Sequence, residues 1–545
     1  MPKPVGEIKK LVSLVDRGDA DEFFYPKDAT HTVFQQNFIP YHNFSQEIVE
    51  LPYTGAANWG QRITFTMPYP WQGDCLSWIA IRFAPNSWLS EGTIRGLSNS
   101  DPSKRSQYND VSGTWLWAEG LGSSSIELVE MEVNGVVIER WSGDWMNVWQ
   151  KVFLDNSRTS GWSDSVVGGL NKTVLRRDLG SGSGFYDNPN GEASQINTNN
   201  VDPIKPNFPL NLEPEYLEKL NAQYDQASAK LNLNTFDNLS TIIPTEDGSV
   251  YAYFPFWFAR HRNSAFPLAS INGEGNVRFH ITFRKFTDVI RKVLDRRTSC
   301  DETMLGKNIE IIDNSSLLPV IKDTVIMNVT PDLKDAVLVC GLIHLDGSLR
   351  ESYVKLPHEI ITEPVLNIPF NEPLKYVVNT GHSDTITVSL PLDAANGPIR
   401  EIIWFVRRKA VYKFNSWGNY GAYLEDELDV DFKPQRPLLT RAILRVGAVV
   451  WADQDELWWR SRGALMHPGG VQLMNSFIYA YSFADDPTKF GPSGSVNASR
   501  VPLRLDLTIL PPVDVENKEW EVQVFILSTN WMKFQNGIAE QVFKD

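Results

Sequence analysis

The residues best suited to catalysis in this chain are histidines and carboxylates that stand close together in the sequence. His358 and Glu359 are adjacent. Neighbours along a strand point to opposite faces of a sheet, so this pair is not expected to share a site. His344 and Asp346 are two residues apart on a predicted strand and could face the same way. We interpret them as a hydrogen-bonded structural pair.

Acidic and glycine-rich runs could supply other chemistry. The acidic runs at 425–429 and 453–456 could bind calcium or form the carboxylate pair of a glycosidase, but a solvated acidic loop is the simpler interpretation in a chain of formal net charge −15. The GSGSG run at 180–184 has no strand before it and no helix after it, which argues against a phosphate-binding loop. Signatures of hydrolases, zinc proteases, P-loop proteins and kinases are absent from the sequence. The sequence therefore predicts no enzyme, no catalytic residue, no metal and no cofactor.

Composition limits the classes of protein that fit. The chain has 545 residues, of which 42% are hydrophobic and 21% charged, as in globular proteins with room for two or three domains. The negative net charge repels nucleic acid and anionic membranes, so no direct nucleic-acid binding is expected. Cys75, Cys300 and Cys340 are too few and too widely spaced for a zinc cluster or a disulfide framework, which favours folding in a reducing compartment. We expect neither a signal peptide nor a membrane span, because no stretch approaches the roughly 20 apolar residues that a span needs.

The elements that would position functional residues include one local pattern that occurs in both halves of the chain. The first copy spans residues 126–149 and the second spans 440–462. In each copy alternating apolar residues lead to a turn, at Asn134-Gly135 or at Gly447, and an acidic, Trp-rich segment follows. This pattern predicts a strand, a tight hairpin and a short helix. Aligning the copies requires a one-residue slip at the turn, and either domain duplication or chance similarity between two hairpins would explain them.

The rest of the chain alternates short strands with clusters of Gly, Pro, Asn and Ser, which is typical of sandwiches and jelly rolls. The clearest helix is predicted at 215–231, and long polar insertions occupy 86–114 and 153–247. The residues of 254–258 are predicted to continue a buried, edge or bulged strand with one aromatic face. The predicted strands are 38–51, 62–67, 75–83, 126–138, 250–258, 276–286, 360–368, 384–390, 399–407, 441–451, 477–483, 502–510 and 520–527.

Seven sequence blocks stand in a fixed order from about residue 38 to the C-terminus. The most specific is AYSFADDPTKFGPSGSVNASR at 480–500. The others are YHNFSQE at 41–47, VEMEVNGVVIERWSGDWMNVW at 129–149, FPFWF at 254–258, FPLASI at 266–271, LPHEIITE at 356–363 and PIREIIWFVR at 398–407. In these blocks the chain resembles the double jelly-roll major capsid proteins of nucleocytoplasmic large double-stranded DNA viruses. It departs from that family in the segment 528–543 and in the length of the 153–247 insertion.

The resemblance implies an all-β fold of two tandem antiparallel eight-stranded jelly-roll domains, a double jelly roll, with long inserted loops and a few short helices. The expected divisions are an N-terminal arm at 1–27, a first jelly roll at 28–350 that carries the two insertions, and a second jelly roll at 351–545. It also implies a homotrimer, whose six similar domains make a pseudo-hexagonal capsomer that tiles an icosahedral shell. The repeated hairpin then marks the same place in each jelly roll.

The resemblance points to structural motifs rather than to a reactive site. Asn497, Ser499 and Arg500 are expected to hydrogen-bond the backbone of the turn at 491–494. The helices around Trp145 and Trp458 become candidates for contacts between domains. Asn171 and Asn238, in the long insertion, are the candidate glycosylation sites. The structural-motif residues are Asn134, Gly135, Asp144, Trp145, Pro492, Gly494, Asn497 and Arg500.

The expected partners follow from a role in a virus shell. They are further copies of the chain, minor capsid proteins and penton proteins, with assembly in the host cytoplasm and final location in the virion. The arm at 1–27 is expected to face inward, towards minor capsid proteins or the protein coat of an inner membrane. Two alternatives remain: a minor capsid or scaffold protein of the same fold, and a carbohydrate-binding or carbohydrate-active β-sandwich that stacks sugars on Trp458 and Trp459.

Overall fold

The structure is a computed structural model, and it describes twelve stretches of the chain. These are residues 42–85, 114–117, 120–154, 250–261, 264–273, 276–293, 333–370, 386–415, 417–422, 436–467, 477–510 and 519–542. Several predictions fall outside them: the arm at 1–27, the helix at 215–231, the glycine-rich run at 180–184, the acidic run at 425–429, and Asn171 and Asn238. The insertions at 86–114 and 153–247 also lie outside, apart from their ends.

Strand after strand in the first half repeats the alternation that the sequence predicts. In β9 the side chains of Val277, Phe279, Ile281 and Phe283 are all buried, because residues two apart share a face of the sheet. The strands of this half are β1 (Phe44–Thr54), β2 (Arg62–Thr66), β3 (Cys75–Pro85), β4 (Thr114–Trp117), β5 (Ile126–Val133), β6 (Val136–Ser142), β7 (Val250–Tyr253), β8 (Phe266–Pro267), β9 (Val277–Phe283), β10 (Ile290–Val293) and β11 (Leu333–Leu345).

Eight of these strands form two four-stranded antiparallel arrays. One array has the order β1-β11-β3-β7 and the other has the order β2-β9-β5-β6. The two are joined where Tyr53 and Thr54 of β1 pair with Phe65 and Thr64 of β2. β8 adds to β3, while β4 and β10 form a separate two-stranded sheet. This order of strands is that of an eight-stranded jelly roll.

The second half has the same alternation, with Leu503, Leu505, Leu507 and Ile509 buried along one strand. Its strands pair separately from those of the first half in the described residues. They are β12 (His358–Thr362), β13 (Val365–Phe370), β14 (Ile386–Pro391), β15 (Pro398–Arg408), β16 (Leu439–Val446), β17 (Val449–Asp455), β18 (Ile478–Ser482), β19 (Val496–Asn497), β20 (Leu503–Ile509), β21 (Trp520–Ser528), β22 (Asn530–Gln535) and β23 (Ile538–Gln541).

The strand order of the first half is repeated in the second. One array runs β13-β21-β15-β18 and the other runs β14-β20-β16-β17. Thus β1, β3, β11 and β7 correspond to β13, β15, β21 and β18, while β2, β9, β5 and β6 correspond to β14, β20, β16 and β17. The expected all-β fold of two jelly rolls is confirmed. The C-terminal strands β22 and β23 form a further sheet with β12.

Six α-helices occur in the described residues, and two of them follow equivalent strands. α2 follows β6, and α6 follows β17, so each repeated hairpin is succeeded by an 11-residue helix. The helices are α1 (Leu121–Ser124), α2 (Gly143–Phe153), α3 (Trp257–Arg260), α4 (Gly347–Lys355), α5 (Val411–Phe414) and α6 (Glu456–Met466).

Two predicted strands are wrong. The predicted strand at 250–258 ends at Tyr253, and Phe256 is instead the N-cap of α3. The three phenylalanines of this segment are all buried, and a run that is apolar on every face does not distinguish a strand from a helix. The predicted strand at 360–368 is interrupted at Glu363-Pro364 and divides into β12 and β13, which belong to different sheets.

The predicted structural pair of His344 and Asp346 is also wrong. β11 ends at Leu345, and Asp346 is the N-cap of α4, where its side chain accepts a hydrogen bond from the backbone N–H of Gly347. His344 instead lies 2.9 Å from a carboxylate oxygen of Glu47. Both residues have structural partners, so this part of the chain offers no His–Asp site.

Candidate functional site: the internal interface

The two hairpins of the repeated pattern have the same geometry. Val133 pairs with Val136 in the first, and Val446 pairs with Val449 in the second, so each turn contains two residues. Asn134 has φ 51° and Gly135 has φ 81°, which is the pattern of a type I′ turn. The expected one-residue slip is wrong, because Asn134 corresponds to Gly447, whose φ is also positive at 61°.

The Asn134-Gly135 turn gives a first testable prediction. A Cβ added at Gly135 would meet nothing within 4 Å, so Gly135→Ala changes backbone strain alone. Holding a residue with a side chain at positive φ costs about 1–2 kcal/mol, and we expect urea denaturation to show that loss. Gly347→Ala is the matched control, because that position also has open space and has no positive φ. Equal stability of the two variants would contradict the prediction.

α2 lies between the two jelly rolls and joins them. Trp145, fully buried, packs against Phe525 of β21 with ring centroids 5.3 Å apart. Asn147 donates a hydrogen bond to the hydroxyl of Tyr420 at 2.8 Å, and Lys151 donates one to the carbonyl of Gly418 at 3.2 Å. We call the contact of β6, α2 and α3 with β13, β15, β21 and segment 417–420 the internal interface.

A buried ion network occupies one part of the internal interface. Arg407 of β15 donates to both carboxylate oxygens of Asp144 in α2, at 2.9 and 3.1 Å. It also donates twice to one oxygen of Glu521 in β21, at 2.9 and 2.6 Å. The hydroxyl of Tyr412 donates to the same Glu521 carboxylate at 2.7 Å. One guanidinium therefore holds carboxylates from both jelly rolls, in the bidentate geometry that makes such pairs strong.

Electrostatics keep this network charged. Burial raises the pKa of Asp144, but the positive charges of Arg407 and Arg284 outweigh it, so the pKa lies below its usual value. Burial lowers the pKa of Arg407, but the carboxylate of Asp144 and the groups of Tyr412 and Glu521 hold it well above its ordinary value. Burial raises the pKa of Tyr412 to about 12, so its hydroxyl remains a donor. The network thus stays ionised wherever the Asp144 carboxylate does.

A second group of charges lies where β6 and α3 meet the start of β13. Glu139 of β6 accepts hydrogen bonds from the backbone N–H groups of Trp257, at 3.4 Å, and Val365, at 3.2 Å. Its carboxylate lies 3.9 Å from Arg260. Arg260 also donates to the backbone carbonyl of Glu363. The side chain of one jelly roll therefore satisfies the backbone of the other.

The carboxylate of Glu363 is enclosed by positive groups from both halves. Arg400 of β15 forms an ion pair with it, and the ring of His261 lies 3.4 Å away. The backbone N–H of Gly491 donates to it at 3.2 Å. Burial raises the pKa of Glu363, but the hydrogen bond from His261 and the charges of Arg400 and Arg260 lower it below its ordinary value.

Glu139 predicts a specific dependence of stability on pH. Burial raises its pKa from 4.5 to about 7, against the weaker opposing effects of Arg260 and the two backbone N–H groups. A carboxyl group whose pKa is higher in the folded chain than in the unfolded chain stabilises the fold fully when the pH is below the unfolded pKa. That stabilisation is lost as the pH rises towards the folded pKa. We therefore expect stability from this group to decline between pH 4.5 and about 7.

Glu139→Gln tests this decline, because glutamine is neutral at every pH. Urea midpoints measured across the same pH range are expected to fall less steeply for the variant than for the wild type. Glu139→Gln leaves the other titratable groups of the chain in place, so the difference between the two slopes reports Glu139. Identical slopes would contradict the prediction.

The PSG-x-x-N-x-SR block lies beside the Glu363 group. Gly494 has φ 138° and faces the backbone of Phe483, with no room for a Cβ, while Pro492 is exposed. Asn497 pairs with Pro398 in the β19–β15 ladder, and its side chain accepts from the N–H of Ser499 at 3.1 Å. Ser499 in turn accepts from the N–H of Gly397 at 2.8 Å, so this segment is fixed to the start of β15.

Arg500 closes a separate turn at 497–500, since its backbone N–H donates to the carbonyl of Asn497 at 3.2 Å. The prediction that Asn497, Ser499 and Arg500 hydrogen-bond the turn at 491–494 is therefore wrong, because their bonds go to one another and to Gly397. The structure therefore brings Asp144 and Trp145 together at the internal interface, and leaves Asn134 and Gly135 at a hairpin end. Asn134 also donates to the carbonyl of Ala539 at 3.2 Å, which links the first hairpin to the C-terminal sheet. The role of these motif residues remains a prediction.

Sequence reasoning missed the arginines and glutamates of the internal interface. Arg407 and Arg400 lie in β15 among mainly apolar residues, and Glu521 lies in β21, which is also mainly apolar. The available signal was a charge inside a strand predicted to be buried, because such charges are paired in folded proteins. The acidic run at 453–456 is structural as well: Asp453 pairs with Arg441 at 2.5 Å, and Asp455 is the N-cap of α6.

Metal sites, membrane-spanning helices and reactive cysteines are the other features that could carry a function. In the twelve described stretches no group of three or more His, Cys, Asp or Glu side chains could hold a metal ion. No described helix is long and apolar enough to cross a membrane. Cys75 and Cys340 are free, and burial raises the pKa of each thiol to about 12, which makes them unreactive.

The known proteins to which this chain is similar are viral major capsid proteins. The family model for the major capsid protein N-terminus matches residues 32–322. The major capsid protein of Chrysochromulina ericina virus is 21% identical over 406 residues, which cover 73% of this chain and only 57% of that protein. The major capsid protein of Spodoptera frugiperda ascovirus 1a is 20% identical over 541 residues, covering 96% of this chain and 93% of that protein.

Solved structures agree with the fold. VP54 of PBCV-1, a crystal structure fitted into a cryo-EM reconstruction of the virophage Sputnik, has a TM-score of 0.60 at 14% identity and covers 94% of this chain and 100% of that chain. The Faustovirus major capsid protein has a TM-score of 0.54 at 10% identity, with 97% of each chain covered. These similarities support a double jelly-roll fold.

Proposed function

The chain belongs to the major capsid protein family of large DNA viruses, and from that premise we propose that it builds the outer shell of such a virus as a homotrimer. Three copies would place six jelly rolls around a threefold axis, so that each capsomer is pseudo-hexagonal and meets neighbours on six sides. Such capsomers can tile the flat facets of an icosahedral shell. A closed symmetric assembly of this kind needs each chain to present complementary surfaces.

The observation that carries this proposal is the repetition of one strand order in two rigidly joined halves. Each half has the same two four-stranded arrays, and the internal interface between them buries Asp144, Trp145 and Arg407. A buried, hydrogen-bonded contact of this kind fixes the relative orientation of the two halves. A fixed pair of similar domains is the unit that a pseudo-hexagonal trimer requires.

The proposed role is structural rather than enzymatic. The charged side chains that the sequence offered as candidates for chemistry act as caps and ion pairs, as Asp346, Asp453 and Asp455 do. Their chemistry is thus used to hold the fold. We propose the virion as the location of the protein, with assembly in the host cytoplasm.

The division of the chain is part of the proposal. An arm at 1–27 would precede a first jelly roll at 28–350 and a second at 351–545. The helix α4 (Gly347–Lys355) supports the boundary between the two jelly rolls. In the described residues, the strands that precede α4 do not pair with the strands that follow it. The insertions at 86–114 and 153–247 would form outward towers, with Asn171 or Asn238 as acceptors of any glycan.

Further partners would lie around and beneath the capsomers. The edges of the trimer would meet other trimers and penton proteins. The arm at 1–27 would face inward and touch minor capsid proteins. Limited proteolysis separates this from a free arm: cleavage before residue 27 should be slower in assembled shells than in isolated trimers.

The mass of the purified protein tests the proposed function most directly. Light scattering is expected to give three times the chain mass of 61.7 kDa, and negative-stain images should show particles of hexagonal outline. A stable monomer at micromolar concentration would contradict the proposal. Purified virions should contain the chain as their most abundant protein, whereas a scaffold of the same fold would be missing from mature particles.

A further inference from the structure

The internal interface has two sides, and each side has an unmatched counterpart elsewhere in the chain. On one side β6 and α2 of the first jelly roll provide the inserting surface. On the other side β13, β15 and β21 of the second jelly roll provide the receiving surface. The repeated strand order makes β17 and α6 the counterparts of the inserting surface, and makes β1, β3 and β11 the counterparts of the receiving surface.

Equivalent positions of the two inserting surfaces differ sharply in exposure. The two-residue turns and the N-caps Ser142 and Asp455 align α2 with α6 without a gap. Val152 of α2 is 1% exposed, whereas its counterpart Leu465 of α6 is 74% exposed. Trp145 is fully buried, while its counterpart Trp458 is partly exposed. At these two positions α6 therefore exposes apolar side chains whose counterparts in α2 are buried.

The first turn of α6 continues this apolar face. Asp144, the partner of Arg407 in the internal interface, corresponds to Leu457 in α6. Leu457 is 62% exposed. Trp451 of β17, the strand that leads into α6, is also exposed. Exposed Leu and Trp side chains grouped on one helix and its adjoining strand are typical of a protein–protein contact.

The receiving surfaces differ in the same way. β1 and β13 align at a shared motif, Leu51-Pro52-Tyr53 in the first and Ile368-Pro369-Phe370 in the second. This alignment makes Ile48 the counterpart of Val365. Val365, whose backbone N–H donates to Glu139 of β6, is 3% exposed, whereas Ile48 is 68% exposed. The first jelly roll thus carries an open copy of the surface that the second jelly roll has filled.

We propose that α6 and β17 of one chain pack on β1 of a second copy, in the way that α2 and β6 pack on β13 within the chain. The inference rests on the homotrimer proposed above and names the surfaces that form it. The occupant is a second copy because this chain itself supplies both halves of the contact. The internal interface serves as the template for the contact between copies.

The charged side chains of β1 and α6 also favour contact between these two surfaces. β1 exposes carboxylates at Glu47 and Glu50, whose side chains are 55% and 49% exposed. α6 carries Arg460, partly exposed, and Arg462, exposed. Opposite charges at the rim of an interface steer association and fix its register. The apolar centre, formed by Leu457, Leu465 and Ile48, would supply most of the affinity.

The contact is head-to-tail, because it joins two different surfaces. In the part of the chain that the structure describes, each copy exposes one inserting surface and one receiving surface, so the contacts would repeat in one direction around a ring. A ring of three chains would then contain six contacts of related geometry. Three of these are internal interfaces and three are contacts between copies.

A double substitution on the inserting surface tests the proposal. Leu457→Glu with Leu465→Glu is expected to convert the trimer into monomers, measured by light scattering at micromolar concentration. Leu356→Glu is the matched control, because Leu356 is a leucine of the same 62% exposure as Leu457 and lies outside both surfaces. Circular dichroism and thermal unfolding should show that all variants are folded.

Mixing tests the head-to-tail arrangement. Ile48→Glu disables the receiving surface and should also give monomers. A mixture of Ile48→Glu chains with the Leu457→Glu, Leu465→Glu chains retains one intact surface of each kind, so it should form 1:1 dimers and no trimers. Absence of dimers in the mixture, with both variants folded, would overturn the assignment of the two surfaces.

The two proposals fail in different ways. A wild-type chain that is monomeric would overturn the proposed capsomer. A wild-type trimer that persists in the Leu457→Glu, Leu465→Glu variant would overturn the present inference and leave the capsomer standing. Dissociation by Leu356→Glu as well would show that the effect is not specific to α6, and would also count against it.

Discussion

Replacing Arg407 with methionine is expected to lower the free energy of unfolding by about 3–5 kcal/mol. The substitution removes the guanidinium that compensates two buried carboxylates, Asp144 and Glu521. Methionine fills similar volume, so the loss reflects uncompensated charge rather than a cavity. Urea denaturation followed by tryptophan fluorescence would measure it, since Trp145 and Trp417 lie beside the network.

Two controls sharpen this result. Arg441→Met breaks the ion pair with Asp453, in which the arginine side chain is 55% exposed and the aspartate side chain 33% exposed, and solvent screens an exposed pair so that it contributes little to stability. Adding Asp144→Asn and Glu521→Gln to Arg407→Met removes the stranded charges, so the triple variant should be more stable than the single one. Equal losses from Arg407→Met and Arg441→Met would contradict the role assigned to Arg407.

The pH dependence of the Arg407 effect has a definite sign. Asp144 has a lowered pKa in the folded chain. The stabilisation that the Asp144 carboxylate provides is therefore complete above its unfolded pKa, and it is lost as the pH falls through the folded pKa. The stability difference between wild type and Arg407→Met should shrink on acidification. This is the opposite of the trend expected for Glu139.

Trp145→Ala is expected to cost about 3–5 kcal/mol, the usual loss when a buried tryptophan is truncated in a packed core. The indole lies between Phe153 of its own helix and Phe525 of the other jelly roll, with centroids 6.2 and 5.3 Å away. The cavity would open at the internal interface itself. Equilibrium urea denaturation of the variant would measure the loss.

Trp458→Ala is the matched comparison, because Trp458 occupies the equivalent position in α6. Trp458 is partly exposed in the single chain, so its removal should cost the unassembled chain clearly less than that of Trp145. In the trimer, thermal unfolding at several protein concentrations compares the costs of the two substitutions again. Equal costs in the unassembled chains would mean that the two helices are not used differently.

The strands were predictable where one physical signal dominated. Alternation of apolar residues located β2 and β9 closely, because each has one face in a core. Asn134-Gly135 located the first hairpin, since few residue pairs accept positive φ at both positions. The repeat with Gly447 then predicted that the two halves share a fold, which the strand order confirms.

Other segments could not be assigned from local pattern. Residues 254–258 are apolar on every face, so period alone could not exclude the helix that begins at Trp257. The interruption at Glu363-Pro364 is set by contacts far along the chain, since Glu363 is held by Arg400 and His261. Tertiary contacts overrode the apparent continuity of the strand.

The candidate site was harder to predict than the fold. The helix around Trp145 was identified as a candidate for contacts between domains, and its packing on Phe525 agrees with that expectation. Its ionic partner was not identified, because Asp144 and Arg407 are separated by 263 positions. A single sequence shows that Arg407 lies in an apolar strand, but it does not show which carboxylate reaches it.

Because the two sides of the internal interface lie far apart in the sequence, they are synthesised at different times. α2 leaves the ribosome long before β21, and at about 5–20 residues per second roughly 20–75 seconds separate the synthesis of Trp145 from that of Phe525. During that interval the apolar side of α2 and the carboxylate of Asp144 have no partner to cover them. The nascent first jelly roll is therefore exposed to misassociation with other nascent chains, and slow translation of the second half would lengthen that exposure.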